Sequence, residues 1–181
     1  MKRFSFCPVC GAGLTGQPAS SVRVDVIVCP ACGFHFWQNS KPAVAAILLR
    51  VVGGKRQILL TRRGIEPYKG QWDLPGGFLA NGELPVEGIH RELREELDVE
   101  VSDPRFFTAE ITQYNRDDIA EQVRFVLSLF YVCEVAPDAR FVPADDVVEA
   151  AWFPLEKLPA ELAFDGNRRA LGKLSASPGA A

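Results

Sequence analysis

The chain has 181 residues, 48% hydrophobic and 24% charged, with a net charge of −3. That length holds one catalytic domain and a small accessory module, and the composition is that of a soluble globular protein. The acidic balance argues against a general nucleic-acid binder, which needs a basic surface.

Polar residues and cysteines, not an apolar run, follow Met1-Lys2-Arg3, so no signal peptide is expected. Ala43 to Leu49, the longest apolar run, is too short to span a bilayer. These features predict a cytoplasmic protein.

The first unit, residues 1–40, carries the one internal repeat. Cys7-Pro8-Val9-Cys10-Gly11 recurs as Cys29-Pro30-Ala31-Cys32-Gly33, with eighteen residues between the pairs. Four thiolates in two such knuckles can surround Zn²⁺ tetrahedrally, and glycine after each pair allows the tight turn around sulfur. A redox dithiol is the competing reading, and two matched knuckles favour structural zinc. His35 follows a knuckle, but four cysteines already complete the shell. Val22 to Val28 between the pairs reads as a strand, and Asn39 to Pro42 as a linker.

The second unit, residues 43–174, opens with Ala43 to Val51, an apolar run suited to a buried strand. Gly53-Gly54 turns the chain, and Gln57 to Arg62 reads as the partner strand. Gly64 to Gly70 is a loop, and Trp72 to Leu74 is short and extended. Pro75-Gly76-Gly77 breaks the chain. Pro85 suits the first turn of a helix, along which Val86, Ile89, Leu93 and Leu97 form an apolar stripe.

Further strands are predicted over Val99 to Val101, Phe106 to Gln113, Val123 to Cys133 and Val148 to Phe153. Short helices are predicted over Leu155 to Leu158 and Asn167 to Leu174. Residues 175–181 read as a frayed tail. Cys133 lies in an apolar strand as a core residue, and His90 reads as an ordinary exposed histidine.

The chemistry concentrates on the first helix. Glu92, Glu95 and Glu96 stand at i, i+3 and i+4, on one side of the helix beside the apolar stripe. Like charges so placed repel unless something holds them together. A divalent cation does that, and a cation held by carboxylates binds phosphate. The preceding glycine turn lets backbone approach such an ion, because no Cβ intrudes. A solvated acidic face would not explain Glu83 ahead of the helix or the Gly-Gly turn. The residues therefore point to metal-dependent hydrolysis of a diphosphate bond.

The stretch Gly77 to Val99 resembles the box of the Nudix hydrolases, G-x5-E-x7-R-E-U-x-E-E-x-G-U, with U a bulky aliphatic. Gly77, Glu83, Arg91, Glu92, Leu93, Glu95, Glu96 and Val99 match, eight of nine constrained positions. Asp98 stands where the family has glycine, a left-handed helix terminus that aspartate adopts at a cost of ~1 kcal/mol. Gly88, where alanine is common, weakens the helix slightly.

The resemblance implies an α/β/α sandwich with a mixed sheet. It implies Mg²⁺ or Mn²⁺ held by the Gly76 carbonyl with Glu92, Glu95 and Glu96. It also implies assistance from Glu83 and a structural Arg91 paired with a box carboxylate. Glu149, just before Trp152, is the candidate for a further metal ligand, with Glu110, Asp117, Asp118 and Glu121 as alternatives. The general base varies within the family. Cys7, Cys10, Cys29 and Cys32 are similar to the zinc ribbon that precedes the catalytic domain in some members. That ribbon is expected to stabilise the N-terminus or a dimer, and a homodimer is a family expectation.

A diphosphate substrate needs cations, for which Arg62, Arg63 and Lys69 are candidates. Phe78 and Tyr114 are the aromatic candidates for a base or flavin ring. The resemblance implies hydrolysis of ADP-ribose or a dinucleotide such as FAD or NADH, although the SQPWPFPxS motif of the NADH group is absent. Two rivals are a ligand-sensing or nucleic-acid-binding module without hydrolysis, and an isoprenoid-diphosphate isomerase, whose additional catalytic cysteine has no counterpart here.

Overall fold

The computed structural model describes residues 5–14, 26–37, 39–114, 124–136 and 139–177. In the N-terminal unit, β1 (Val26–Val28) and β2 (His35–Trp37) pair antiparallel. The two knuckles repeat the same backbone bonds. Gly11 and Gly33 donate to the carbonyls of Cys7 and Cys29, each at 2.9 Å. Both glycines sit at φ 72, which explains the glycine after each cysteine pair. Of the strand expected over 22–28, Val26–Val28 is strand, and 22–25 lie outside the described residues. β2 is too short to leave an alternating pattern in the sequence.

The second unit is built on six strands. These are β3 (Lys41–Val52), β4 (Lys55–Arg63), β5 (Trp72–Asp73), β6 (Ser102–Tyr114), β7 (Arg124–Glu134) and β8 (Val147–Pro154). The order is β5-β4-β3-β7-β6, with β8 also paired to β4. β3 and β7 run parallel, Lys41 opposite Val126 and Leu48 opposite Cys133, and the other pairs are antiparallel. Two helices, α1 (Pro85–Leu97) and α2 (Asp165–Ala176), cover the two faces.

Alternation along β3 sorts the core. Val44, Ala46 and Leu48 pack with Ile89, Leu93 and Leu97 of α1. Ala45 and Ile47 pack with Ala170, Leu171 and Leu174 of α2. Burial on both faces is why β3 reads as an unbroken apolar run. The layers are those of the expected α/β/α sandwich.

β3 and β4 pair only over Leu49–Val52 and Lys55–Ile58, then part. Residues 72–79 fill the fork. Trp72 and Asp73 pair with Arg62 and Thr61 of β4. The carbonyls of Pro75 and Gly77 accept from Ala46 and Val44 of β3, at 2.8 and 2.9 Å. Gly76 lies between them at φ 144, where a Cβ would collide with the backbone of Val44 and Ala45. Only glycine lets the chain thread this gap.

Pro85 opens α1, and the Glu87 carboxylate accepts the Leu84 N–H at 3.0 Å. Val86, expected in the apolar stripe, is 40% exposed, so the stripe begins at Ile89. Gly88 is buried, and a Cβ there would press on Leu79, so close packing accounts for it. The helix ends at Asp98, φ 51 and ψ 43, whose N–H donates to the Arg94 carbonyl at 3.1 Å. The missing box glycine therefore leaves the helix terminus intact.

Several boundaries differ from expectation. Lys41 and Pro42, read as linker, already belong to β3 and pair with Val126 and Leu127 of β7. Residues 99–101 are not strand, and β6 begins at Ser102. Leu155 to Leu158 forms a turn without a helix. α2 continues to Ala176, into the segment expected to fray. Its last carbonyls, which carry negative partial charge, face Arg56, whose Nη1 donates to Leu174 and Ser177 at 3.4 and 3.2 Å. That contact explains the longer helix.

Asp98→Gly should raise stability by about 1 kcal/mol, because glycine occupies the left-handed region without a Cβ penalty. Urea unfolding checks this, and a less stable variant would contradict the terminus described.

Candidate active site

α1 brings its acids to the fork. Glu92 and Glu96 are buried, and the Glu95 side chain is 48% exposed. Arg91 gathers them. Its Nε and Nη2 donate to the two oxygens of Glu83 at 2.7 and 2.9 Å. Its Nη1 donates to Glu92 Oε1 at 2.8 Å and Glu95 Oε2 at 2.9 Å, and Nη2 also reaches the Phe78 carbonyl at 3.1 Å. Glu83 additionally accepts the Ala80 N–H at 2.8 Å. The Arg91 hydrogen bonds, then that N–H, hold the Glu83 carboxyl down to about 2. Both Glu83 oxygens thus accept from Arg91, which makes Glu83 the anchor of that side chain.

Glu96 Oε2 accepts the Gly76 N–H at 2.9 Å. Burial, with Glu92 and Asp73 nearby, pushes its carboxyl up to about 9 despite that bond. Burial also raises Glu92. Each of the three glutamates keeps one oxygen with no hydrogen bond among the described residues: Glu92 Oε2, Glu95 Oε1 and Glu96 Oε1. The Gly76 carbonyl is likewise uncommitted, whereas its neighbours Pro75 and Gly77 bond to β3. A Cβ at Gly77 would meet the Glu92 carboxylate at 2.5 Å, so the turn leaves a cradle beside that group. Oxygen donors, buried acids short of a counter-charge and a glycine cradle fit a hard divalent cation.

The carboxylates are spread around Arg91. Among the described residues, the four cysteines form the group whose ligand atoms all lie within 4.8 Å of one another.

Gly76, Gly77, Arg91, Glu92, Glu95 and Glu96 border a cavity of about 480 Å³, lined also by Arg63, Asp73, Phe78, Tyr114, Asp145, Asp146, Phe164 and Asn167. Phe78 and Tyr114 are brought together, ring centroids 5.6 Å apart. Phe164, missed in the sequence, stacks on Tyr114 at 5.6 Å and 15°. Arg63 lies over Phe164 at 5.0 Å and donates to buried Asp73 Oδ2 at 2.8 Å.

Arg62, Lys69 and Glu149, expected at the site, do not line the cavity. Arg62 and Glu149 stand opposite each other on β4 and β8 and form an exposed ion pair at 3.2 Å. Arg62 packs over Trp72, on the α2 side of the sheet. Strand alternation turns that pair away from the α1 acids, so neither lines the cavity. The acids that reach it from this region are Asp145 and Asp146. Their loop is tied to the end of α1, Ala144 N–H donating to the Glu96 carbonyl at 2.9 Å. Burial, then Asp145, raises the Asp146 carboxyl. A loop position three residues before Glu149 carried no periodic signal. Glu110 serves Arg169 and Lys173 at 2.8 and 2.6 Å. Asp117, Asp118 and Glu121 lie outside the described residues.

In the N-terminal unit, Cys7 and Cys32 sulfurs lie 3.7 Å apart and those of Cys10 and Cys29 3.6 Å apart, none of them in a disulfide. His35 is bonded to the Gly33 carbonyl at 2.8 Å and is not part of the quartet.

The NUDIX domain family model matches residues 41–173. The chain belongs to the Nudix hydrolase family. An ADP-ribose pyrophosphatase of Methanocaldococcus jannaschii is 32% identical to it over 127 residues, 70% of each chain. The NAD-capped RNA hydrolase NudC of Pseudomonas aeruginosa is 27% identical over 155 residues, 85% of this chain and 49% of that one. The chain thus spans about half the length of that NudC. Among solved structures, a NUDIX hydrolase from Nitrosomonas europaea superposes with a TM-score of 0.71 at 26% identity, covering 93% of this chain and 88% of that one. No helix among the described residues of this Nudix protein is long and apolar enough to cross a membrane.

Burial lifts the Asp73 carboxyl from 3.8 to about 6, with Arg63 opposing the shift. Between those values the folded state holds a proton that the unfolded chain has released. This group's contribution to stability therefore falls as pH rises through that window. Relative to Asp73→Asn, the wild type should lose roughly 3 kcal/mol between pH 3.5 and 6.5, read by urea unfolding. A pH-independent difference would contradict the buried placement.

Proposed function

We propose that the chain hydrolyses the diphosphate bond of a nucleoside diphosphate linked to another moiety, using Mg²⁺ or Mn²⁺. Relatives named for ADP-ribose and for NAD-capped RNA both act on molecules containing an adenosine diphosphate. We infer the same class here, ADP-ribose first. The observation that carries this reading is the set of uncommitted acceptors on one cavity: Glu92 Oε2, Glu95 Oε1, Glu96 Oε1 and the Gly76 carbonyl.

Those four groups would hold the divalent ion, which when bound neutralises phosphate charge and acidifies water. Arg91 and Glu83 keep the carboxylates in place without contacting the substrate. Arg63, fixed by Asp73, supplies a cation for a phosphate. Phe78, Tyr114 and Phe164 supply an apolar wall for a flat ring. Asp146, with its raised carboxyl, takes the proton of the attacking water.

In this reading residues 1–40 form a zinc ribbon in which Cys7, Cys10, Cys29 and Cys32 hold one Zn²⁺ for structure. Four sulfurs close the shell and leave no open position for catalysis. Reduced thiolates suit a reducing compartment, in keeping with a cytoplasmic protein. Residues 43–174 form the catalytic domain, and 175–181 its end.

With ADP-ribose and Mg²⁺, Glu95→Gln should lower kcat by about 100-fold or more while the far-ultraviolet spectrum and melting temperature hold. Released AMP is the readout, and an equally active variant would refute the role of Glu95. Metal analysis of the purified protein should find one zinc per chain, and removing it should lower the melting temperature. A protein that folds equally well with the four cysteines free of metal would refute the ribbon.

A further inference from the structure

Asn167 stands in the first turn of α2, 6% exposed, at the wall of the cavity. Its amide nitrogen is fully committed, donating to Asp73 Oδ1 and to the Ala163 carbonyl. Both partners are acceptors. Asp73 Oδ1 also takes the Leu74 N–H at 2.8 Å, and Oδ2 takes Arg63 at 2.8 Å. Turned end for end, the amide would set its oxygen against two acceptors, so its orientation is fixed. Asn167 Oδ1 takes no hydrogen bond among the described residues. What this buried side chain offers the cavity is a carbonyl oxygen that the described residues leave without a donor.

Its surroundings suit a flat ligand. Phe164, three residues earlier in the chain, lies nearly parallel to Tyr114. The buried Thr112 hydroxyl, which lines the same cavity, sits against Gly166, where a Cβ would collide with it. Neither Asn167 nor Thr112 carries charge, and the Asp73 carboxylate beside Asn167 is spent on Leu74, Arg63 and Asn167 itself.

We propose that Asn167 Oδ1 accepts a hydrogen bond from an amino group on the substrate's ring, and so selects an amino-bearing base over its oxo counterpart. An exocyclic amino group donates. A carbonyl in its place would set two acceptors face to face. Asp73 is the positioning residue, because its carboxylate dictates which end of the amide meets the cavity. The inference rests on this cavity being the substrate site, as proposed above, and is independent of the hydrolytic step.

AMP and IMP test it directly, since they share the phosphate and ribose and have no diphosphate bond to cleave. Calorimetric titration of the full chain with Mg²⁺ should show AMP binding at least about tenfold tighter than IMP. In Asn167→Ala the ratio should collapse to within about twofold. Truncation also strips a donor from buried Asp73, so the wild-type ratio decides the matter if that variant does not fold. Equal affinities in the wild type, binding of neither nucleotide, or a ratio preserved in folded Asn167→Ala would each overturn the inference. An AMP preference in a protein that cleaves no diphosphate would leave it standing and overturn the hydrolase reading alone.

Discussion

All five N–H groups of Arg91 are spent at the acidic wall of the cavity. Two go to Glu83, one each to Glu92 and Glu95, and one to the Phe78 carbonyl. A carboxylate trio on one side of a helix repels itself, and a planar fork with fixed donor directions is well suited to counter that repulsion. The Glu83 hydrogen bonds, foremost, raise the Arg91 affinity for its proton, so the fork stays charged wherever the protein is folded. The arrangement is economical in oxygens. It uses one oxygen from each of Glu92 and Glu95 and leaves the other, while Glu83 gives both and becomes the anchor.

The same constraint explains the backbone around it. The Phe78 carbonyl that receives Arg91 belongs to the segment filling the fork between β3 and β4. Gly76, two residues earlier, donates to Glu96 and leaves its own carbonyl uncommitted. Helix, turn and strand are thus joined through polar groups at the point where the sheet opens. A cavity of about 480 Å³ lies at that opening, with its acids, its cation Arg63 and its aromatic rings contributed by different elements. Only packing on both sheet faces by α1 and α2 keeps those contributions in register.

Much of this was legible in the sequence, for identifiable reasons. β3, β4, β7 and α1 have long periodic or continuous apolar signals, and the box spacing named Glu83, Glu92 and Glu95, which the structure gathers on Arg91, with Glu96 beside them on Gly76. Paired CPxCG knuckles likewise announced the cysteine quartet. The sequence hid what depends on strand facing and on loops. Arg62 and Arg63 are adjacent, and a strand sends neighbours to opposite faces, so charge alone could not choose between them. Glu149 faces away on β8, and the acids that reach the cavity from this region, Asp145 and Asp146, sit in a loop tied by its backbone to α1. Asn167 and Phe164 gain their roles from partners far away in the chain, Asp73 and Tyr114. Val86 obeyed the helical period yet stayed exposed, because α1 meets the sheet one turn later.

The central claim is that Arg91 holds the glutamates in an arrangement ready for a divalent ion, and keeps its grip on Glu83 when the ion arrives. Anomalous diffraction from crystals grown with Mn²⁺ tests this most directly. The account predicts a manganese peak within ligand distance of the Gly76 carbonyl and the α1 glutamates, with the Arg91–Glu83 fork unchanged. A peak elsewhere on the chain, or a fork broken to admit the ion, would contradict it.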